Sequence, residues 1–168
     1  GLKDLNEDFK GFLYAGLIIV NGDPFLIEYN VRMGDPECQT ILPRLKTDFF
    51  EVIEAVIENK LNKLNLKWYE DKALSIVLCS KGYPEKFENN KEIKNLEKIT
   101  LNENEFLFHA GTKLHNSKIF SNGGRVLNIV TKSKSFKESR KIALDLIKKI
   151  DWENGFYRKD IGFKVIDT

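Results

Sequence analysis

The sequence predicts an α+β chain in two parts, and three observations carry that prediction. Two apolar runs of strand length, Gly11 to Val20 and Phe25 to Asn30, flank a turn signal. A second set of strand-length runs follows a polar tract, rich in Lys and Asn, between Glu58 and Lys72. Behind capping residues such as Asp48 and Ser135, apolar side chains recur at three- and four-residue steps, which is the spacing of helices that bury one face.

In chain order, Asn21, Gly22, Asp23 and Pro24 separate the first two runs, a hairpin signal. Gly34, Asp35 and Pro36 read as a loop ending in an N-cap aspartate with proline at the first helical position, so a helix is expected next. Pro43 interrupts the pattern, and Thr47 or Asp48 restarts it with Phe49, Val52, Ile53, Val56 and Ile57 on one face. The polar tract from Glu58 to Lys72 marks a boundary, with one part expected at 1–60 and the other at 73–168. The second part opens with Ala73 to Ser80 and continues through strand-like stretches near Phe106 to Ala110 and Val126 to Thr131. Gly82, Tyr83 and Pro84 punctuate it, as do Asn122, Gly123 and Gly124. Ser135 with Glu138 forms a capping box, opening a helix whose apolar positions are Phe136, Ala143, Leu146, Ile147 and Ile150. A last strand is expected from Ile161 to Ile166. The second part is therefore expected as a small mixed β-sheet domain with one covering helix.

Composition narrows the functional classes. A chain of 168 residues with 42% hydrophobic content has enough apolar surface for a real core. Twenty-seven basic against 25 acidic residues leave a net charge of +2, which indicates neither a nucleic-acid surface nor a membrane-seeking tail. No apolar run approaches the roughly 20 residues that cross a bilayer, and no secretory signal opens the chain; a cytoplasmic location is expected. Cys38 and Cys79 lack CxxC spacing and read as reduced thiols. The chain opens on Gly1 and Leu2, with a polar segment leading straight into an apolar strand, the pattern of a fragment or tag-cleaved form of something longer.

The residues that point to chemistry lie on the second predicted strand. Alternate side chains of a strand share a face, so Glu28, Asn30 and Arg32 are expected together, opposite Ile27, Tyr29 and Val31. An unpaired buried carboxylate is costly, so such a face opens onto a cleft or is neutralised by a cation. Carboxylate and amide oxygens suit a hard cation such as magnesium, which takes its remaining ligands from water and phosphate. The planar fork of Arg32 suits a phosphate or carboxylate. Together the three suggest phosphoryl chemistry, where positioning and charge neutralisation do most of the catalytic work. The alternative is an ordinary solvated face with Glu28 and Arg32 paired along the strand.

The string EYNVRMGDPECQTILPRLKTD from Glu28 to Asp48 closely resembles the strand, loop and helix of the glycinamide ribonucleotide synthetase family, the phosphoribosylamine–glycine ligases of the ATP-grasp superfamily. SKGYPEKF from Ser80, FHAGTKL from Phe108, SNGGRVL from Ser121 and GFYRKDIGF from Gly155 resemble further segments of the family, in order and over nearly the whole chain. The resemblance implies that the first part is the C-terminal part of an ATP-grasp domain, built of antiparallel strands plus helices, and the second the ligase's C-terminal domain. It implies that Glu28 and Asn30 bind the divalent metal, Mg²⁺ or Mn²⁺, that bridges ATP phosphates, with Arg32 as a catalytic residue near the transferred phosphoryl group or the acyl phosphate. It implies that Gly34, Asp35 and Glu37 shape the site near glycine, a purely capping role for Asp35 being the alternative. Gly16 occupies the place where many ATP-grasp enzymes carry another metal-binding carboxylate.

In the second part, His109, Gly111 and Thr112 resemble the family's HAGT segment and Gly123, Gly124 and Arg125 its GGR segment, implying loops that close the site around phosphate or phosphoribosylamine. Glycines let amides approach an anion, and arginine supplies charge. A hairpin turn at Asn122 to Gly124 and a core histidine at 109 are the alternative. Tyr157, Arg158 and Asp160 also match the family, but their side chains lock the last strand equally well and stay outside the expected site. The implied reaction joins 5-phosphoribosylamine to glycine as ATP is cleaved to ADP and phosphate. The implied partners are those three small molecules and an upstream portion of the enzyme, without which the chain is expected to be inactive; no nucleic acid and no membrane are expected. The rival readings are another ATP-grasp carboxylate–amine ligase and a non-catalytic binding module derived from the ligase.

Overall fold

The computed structural model describes residues 2–166. Its contacts divide into two compact units, the first comprising the chain up to Cys38 with Leu45–Tyr69, the second Gln39–Arg44 with the chain from Glu70 onward.

In the first unit, β1 (Tyr14–Val20) and β2 (Asp23–Asn30) form an antiparallel hairpin. Asn21 and Gly22 both have positive φ, 53° and 92°, as a two-residue Asn-Gly turn requires. The register runs from Val20↔Asp23 to Tyr14↔Asn30 and slips between Gly16 and Leu17, leaving Ile27 as the extra residue. Because the slip precedes Glu28, Gly16↔Glu28 and Tyr14↔Asn30 stay in alternation. Apolar side chains along both strands stand exposed in this unit, Ile27 at 67% and Ile19 at 61%.

A short helix, α1 (Glu37–Ile41), follows, one residue later than expected, so Pro36 lies ahead of it. Pro43 sits in a 3-10 turn, Leu42–Arg44. The helix α2 (Phe49–Ile57) then starts from Asp48, whose Oδ1 accepts the Phe50 amide at 2.7 Å. Phe49 stacks on Phe12 at 5.9 Å between ring centroids, and Val52 is buried.

The second unit contains β3 (Lys72–Ser80), β4 (Glu92–Ile93), β5 (Glu105–His109), β6 (Thr112–His115), β7 (Lys118–Ser121), β8 (Arg125–Ser133), α3 (Phe136–Ile147), β9 (Gly155–Phe156) and α4 (Phe163–Ile166). Four strands form one sheet in the order β5-β8-β3-β9 and three form another in the order β4-β7-β6. Every strand pairing is antiparallel among the described residues, where a mixed sheet was expected. The covering helix α3 begins at Ser135, whose side chain accepts the Glu138 amide. Leu74, Ile76, Leu127, Ile129, Ala143 and Leu146 form the centre of the core. The side chain of Thr131 donates to the Ser139 carbonyl at 2.7 Å and that of Ser139 to the Lys72 carbonyl at 2.7 Å, so the buried hydroxyls between helix and sheet are satisfied.

The strand expected at Ile161 to Ile166 is helical instead. Gly162 has φ +79°, and the Phe163 and Val165 amides donate to Asp160 and Gly162. A left-handed glycine ends extension at that point. The nearby Arg158 and Asp160 form an exposed ion pair at 2.7 Å, while Tyr157 packs against the core.

Candidate functional site

On the hairpin, the Asn30 Nδ2 donates to Glu28 Oε1 at 2.9 Å, so the two side chains share the face that strand alternation assigned to them. Gly16 lies directly across from Glu28, and a Cβ there would sit 3.2 Å from Glu28 Cγ and 3.8 Å from the Tyr14 ring. The bare backbone at Gly16 therefore leaves room for Glu28 and Tyr14 side by side. Arg32 lies past the end of β2, and its guanidinium donates to the Met33 carbonyl at 2.9 Å. The structure thus joins Glu28 to Asn30 and turns Arg32 along its own loop.

The loop after β2 packs an acidic side chain against its own backbone. Gly34 is buried, and a Cβ on it would overlap the Glu37 carboxylate; the glycine is the seat of that carboxylate. The Tyr14 phenol pKa is raised, first by the Glu37 charge, then by burial, by its polar interaction with Glu37 and by the Glu28 charge. Asp35, half-buried, raises the Cys38 thiol pKa together with burial, which is the larger cause.

The hairpin donors fit a hard cation. With its amide nitrogen on Glu28, Asn30 keeps its Oδ1, and Glu28 keeps Oε2, beside an exposed surface. Among the described residues no cluster of three or more His, Cys, Asp or Glu side chains has the arrangement of a metal cage. Two oxygens on an open face match an ion that completes its shell with water and phosphate.

In the second unit the two glycine-containing loops meet. The Gly111 amide donates to the Arg125 carbonyl at 3.0 Å, and the Asn122 amide to the Gly111 carbonyl at 2.7 Å. A Cβ on Gly111 would lie 2.7 Å from the Arg125 carbonyl oxygen and 2.9 Å from the Gly123 Cα. Ser80, fully buried, donates its hydroxyl to the Gly123 carbonyl at 2.8 Å, while a Cβ on Gly124 would overlap the Tyr83 ring. These glycines permit backbone-to-backbone and backbone-to-ring packing. His109 is exposed, not a core residue, and its Nδ1 lies 3.0 Å from Thr112 Oγ1. Arg125 is exposed and faces Cys79 electrostatically, lowering a thiol pKa that burial raises more. The hairpin turn in this region lies at Asn116 and Ser117, both with positive φ, instead of at Asn122 to Gly124.

Tyr14, Ser80 and Tyr83 were not singled out from sequence. Tyr14 carried a signal, since it precedes Gly16 by two positions and so shares its face. Ser80 and Tyr83 act through contacts with residues about forty positions away, which no local pattern displays.

The hairpin with its carboxylate–amide pair lies in the first unit and the packed glycine loops lie in the second. Residues 1–38 match the family described as "Phosphoribosylglycinamide synthetase, ATP-grasp (A) domain", and residues 73–164 match "Phosphoribosylglycinamide synthetase, C domain". The chain belongs to the phosphoribosylglycinamide synthetase family. It is 48% identical over 161 residues to the phosphoribosylamine–glycine ligase of Caldanaerobacter subterraneus, covering 96% of this chain and 38% of that protein. It is 39% identical over 167 residues to the ligase of Brucella melitensis, covering 99% and 39%. The crystal structure of the Thermotoga maritima phosphoribosylamine–glycine ligase superimposes with a TM-score of 0.76 at 33% identity, over 96% of this chain and 39% of that one. The chain thus spans about two fifths of the length of these relatives. No helix among the described residues is long and apolar enough to cross a membrane.

Proposed function

We propose that this chain works as the C-terminal portion of a phosphoribosylamine–glycine ligase, with 1–60 ending its ATP-grasp domain and 73–168 forming its C-terminal domain. The observation that carries the reading is the Glu28–Asn30 pair, held at 2.9 Å on a strand with bare Gly16 opposite. Glu28 and Asn30 would hold Mg²⁺ or Mn²⁺, which neutralises charge on the ATP phosphates when bound.

In the proposed reaction the glycine carboxylate oxygen attacks the γ-phosphorus of ATP, the bond to the β-phosphate oxygen breaks, and ADP leaves. The amine of 5-phosphoribosylamine then attacks the acyl carbon of glycyl phosphate, phosphate leaves with the bonding pair, and the amine loses a proton as the amide forms. Arg32, freed from the Met33 carbonyl, would place its guanidinium on the transferring phosphoryl oxygens, an interaction stronger in the transition state than in the ground state. Gly34, Asp35 and Glu37 would border glycine. His109, Gly111, Thr112, Gly123, Gly124 and Arg125 would close over the phosphate of phosphoribosylamine, with the packed glycine loops aiming Arg125.

The exposed apolar side chains of the hairpin support a further part of the reading, that an upstream portion of the enzyme covers them and supplies most of the nucleotide site. The 168-residue chain alone is then inactive. The direct test is Glu28→Gln in the complete ligase, which removes one charge without changing shape. Turnover is expected to fall by at least about a hundredfold, by analogy with the loss of one preorganised charge-stabilising group, with unchanged thermal unfolding. Near-normal turnover refutes the role of Glu28.

A further inference from the structure

Ser80 ends β3, and its polar groups converge on the loop that leads into Arg125. Its hydroxyl donates to the Gly123 carbonyl at 2.8 Å and its amide to the Gly124 carbonyl at 2.8 Å. Its own carbonyl accepts the Tyr83 amide at 3.1 Å, closing the turn whose ring takes the space that a Cβ on Gly124 would need. Two consecutive carbonyls are thus held by one fully buried residue. Beside this clamp the register of β3 and β8 slips. Leu78 pairs with Leu127 but Cys79 with Arg125, which leaves Val126 as the extra residue of β8. Val126 and Leu127, consecutive in the chain, both enter the core, as a bulge allows and a regular strand does not. Without the slip, alternation would put Arg125 on the face of Leu127. With it, Arg125 shares the face of its cross-strand partner Cys79 and stands exposed, off the core side. The electrostatics agree with the register, since the Arg125 charge acts on the Cys79 thiol.

We propose that Ser80 is a positioning residue for Arg125, its hydroxyl and amide holding the Gly123 and Gly124 carbonyls so that the bulge turns the guanidinium away from the core. Both bonds end on the two residues immediately before Arg125, so they fix the backbone from which its side chain departs. The amide bond survives substitution by any residue except proline, whereas the hydroxyl bond belongs to serine at this site. A carbonyl that loses its buried donor is left unsatisfied, and the loop then shifts to find another partner, carrying Arg125 with it. Ser80 touches no substrate; it acts through Arg125.

This inference rests on the proposed contact of Arg125 with the phosphate of 5-phosphoribosylamine, and the experiment separates the two. In the complete ligase, the KM for 5-phosphoribosylamine is measured at saturating ATP and glycine for wild type, Arg125→Ala, Ser80→Ala and the Ser80→Ala/Arg125→Ala pair. Arg125→Ala removes a charged contact and is expected to raise this KM at least about tenfold. Ser80→Ala removes one hydrogen bond and is expected to raise it about fivefold, with the KM for glycine unchanged. The double variant is expected to match Arg125→Ala, because one residue acts through the other. A hydroxyl that only stabilised the fold would instead multiply its loss with that of Arg125→Ala. Should Ser80→Ala fail to fold, Ser80→Cys, which offers only a weak S–H donor, enters the same cycle with the same expectation. An unchanged KM in Arg125→Ala removes the underlying reading of the loop and this inference with it. A raised KM in Arg125→Ala overturns the role of Ser80 alone if the Ser80 variant stays within about twofold of wild type, or if the losses multiply in the double variant.

Discussion

Gly111→Ala measures directly how closely the two loops of the second unit pack. The added Cβ would lie 2.7 Å from the Arg125 carbonyl oxygen and 2.9 Å from the Gly123 Cα. Both neighbours are backbone atoms, so no flexible side chain can swing away. If the loops hold their position, overpacking costs about 1–3 kcal/mol. If they part, the Gly111-to-Arg125 and Asn122-to-Gly111 hydrogen bonds are lost, at about 1 kcal/mol each. Either route gives roughly 2 kcal/mol. The assay is urea unfolding followed by Trp152 fluorescence in a Trp68→Phe background, because Trp152 is buried against the second unit's core whereas Trp68 belongs to the first. With a slope of about 1–3 kcal/mol per molar urea, the midpoint should fall by roughly 1 M. Gly22→Ala is the internal comparison, since nothing lies within 4 Å of its added Cβ and only the positive φ of 92° is strained; it should leave the Trp152 transition in place. A Gly111→Ala midpoint within about 0.2 M of wild type would mean that the loops are not in contact as described, and with that the packing argument for aiming Arg125 would fail.

Two further outcomes follow from the local geometry. Asp48→Ala removes the acceptor of the Phe50 amide and should cost about 1 kcal/mol, read as reduced helicity and a lower unfolding temperature of the first unit; an unchanged transition would refute the cap. Burial raises the thiol pKa values of Cys38 and Cys79, so both carry less thiolate than a free thiol at the same pH and alkylate more slowly. Mass spectrometry at pH 8 should find half-buried Cys38 modified before buried Cys79, and Arg125→Ala, which removes the charge that lowers the Cys79 pKa, should slow Cys79 further. Modification of native Cys79 at the rate of a free thiol would refute its burial.

What the sequence determined by itself is what short stretches of chain decide. The turn at Asn21 and Gly22, the Asp48 and Ser135 caps and the face of α3 through Ala143, Leu146 and Ile147 depend on neighbours within four residues and stand where those residues predicted, while Asp23 and Pro24 belong to β2 and Ile150 lies past the end of α3. The pairing of Glu28 with Asn30 belongs to the same class, because period-two alternation brings them together on any regular strand. Arg32 escaped that rule because β2 ends at Asn30, and an alternation argument carries no further than its strand. Tertiary structure decided the rest. The short strands β4, β6 and β7 exist through pairing with one another, and Ile161 to Ile166 turns helical after a left-handed glycine although its apolar pattern suits a strand. The approach of Tyr83 to Gly124, and of Gly111 to Gly123, joins segments more than ten residues apart through side chains that are absent. Space left by a missing Cβ leaves no period or propensity in the chain, so such contacts appear only once the backbone has folded around them.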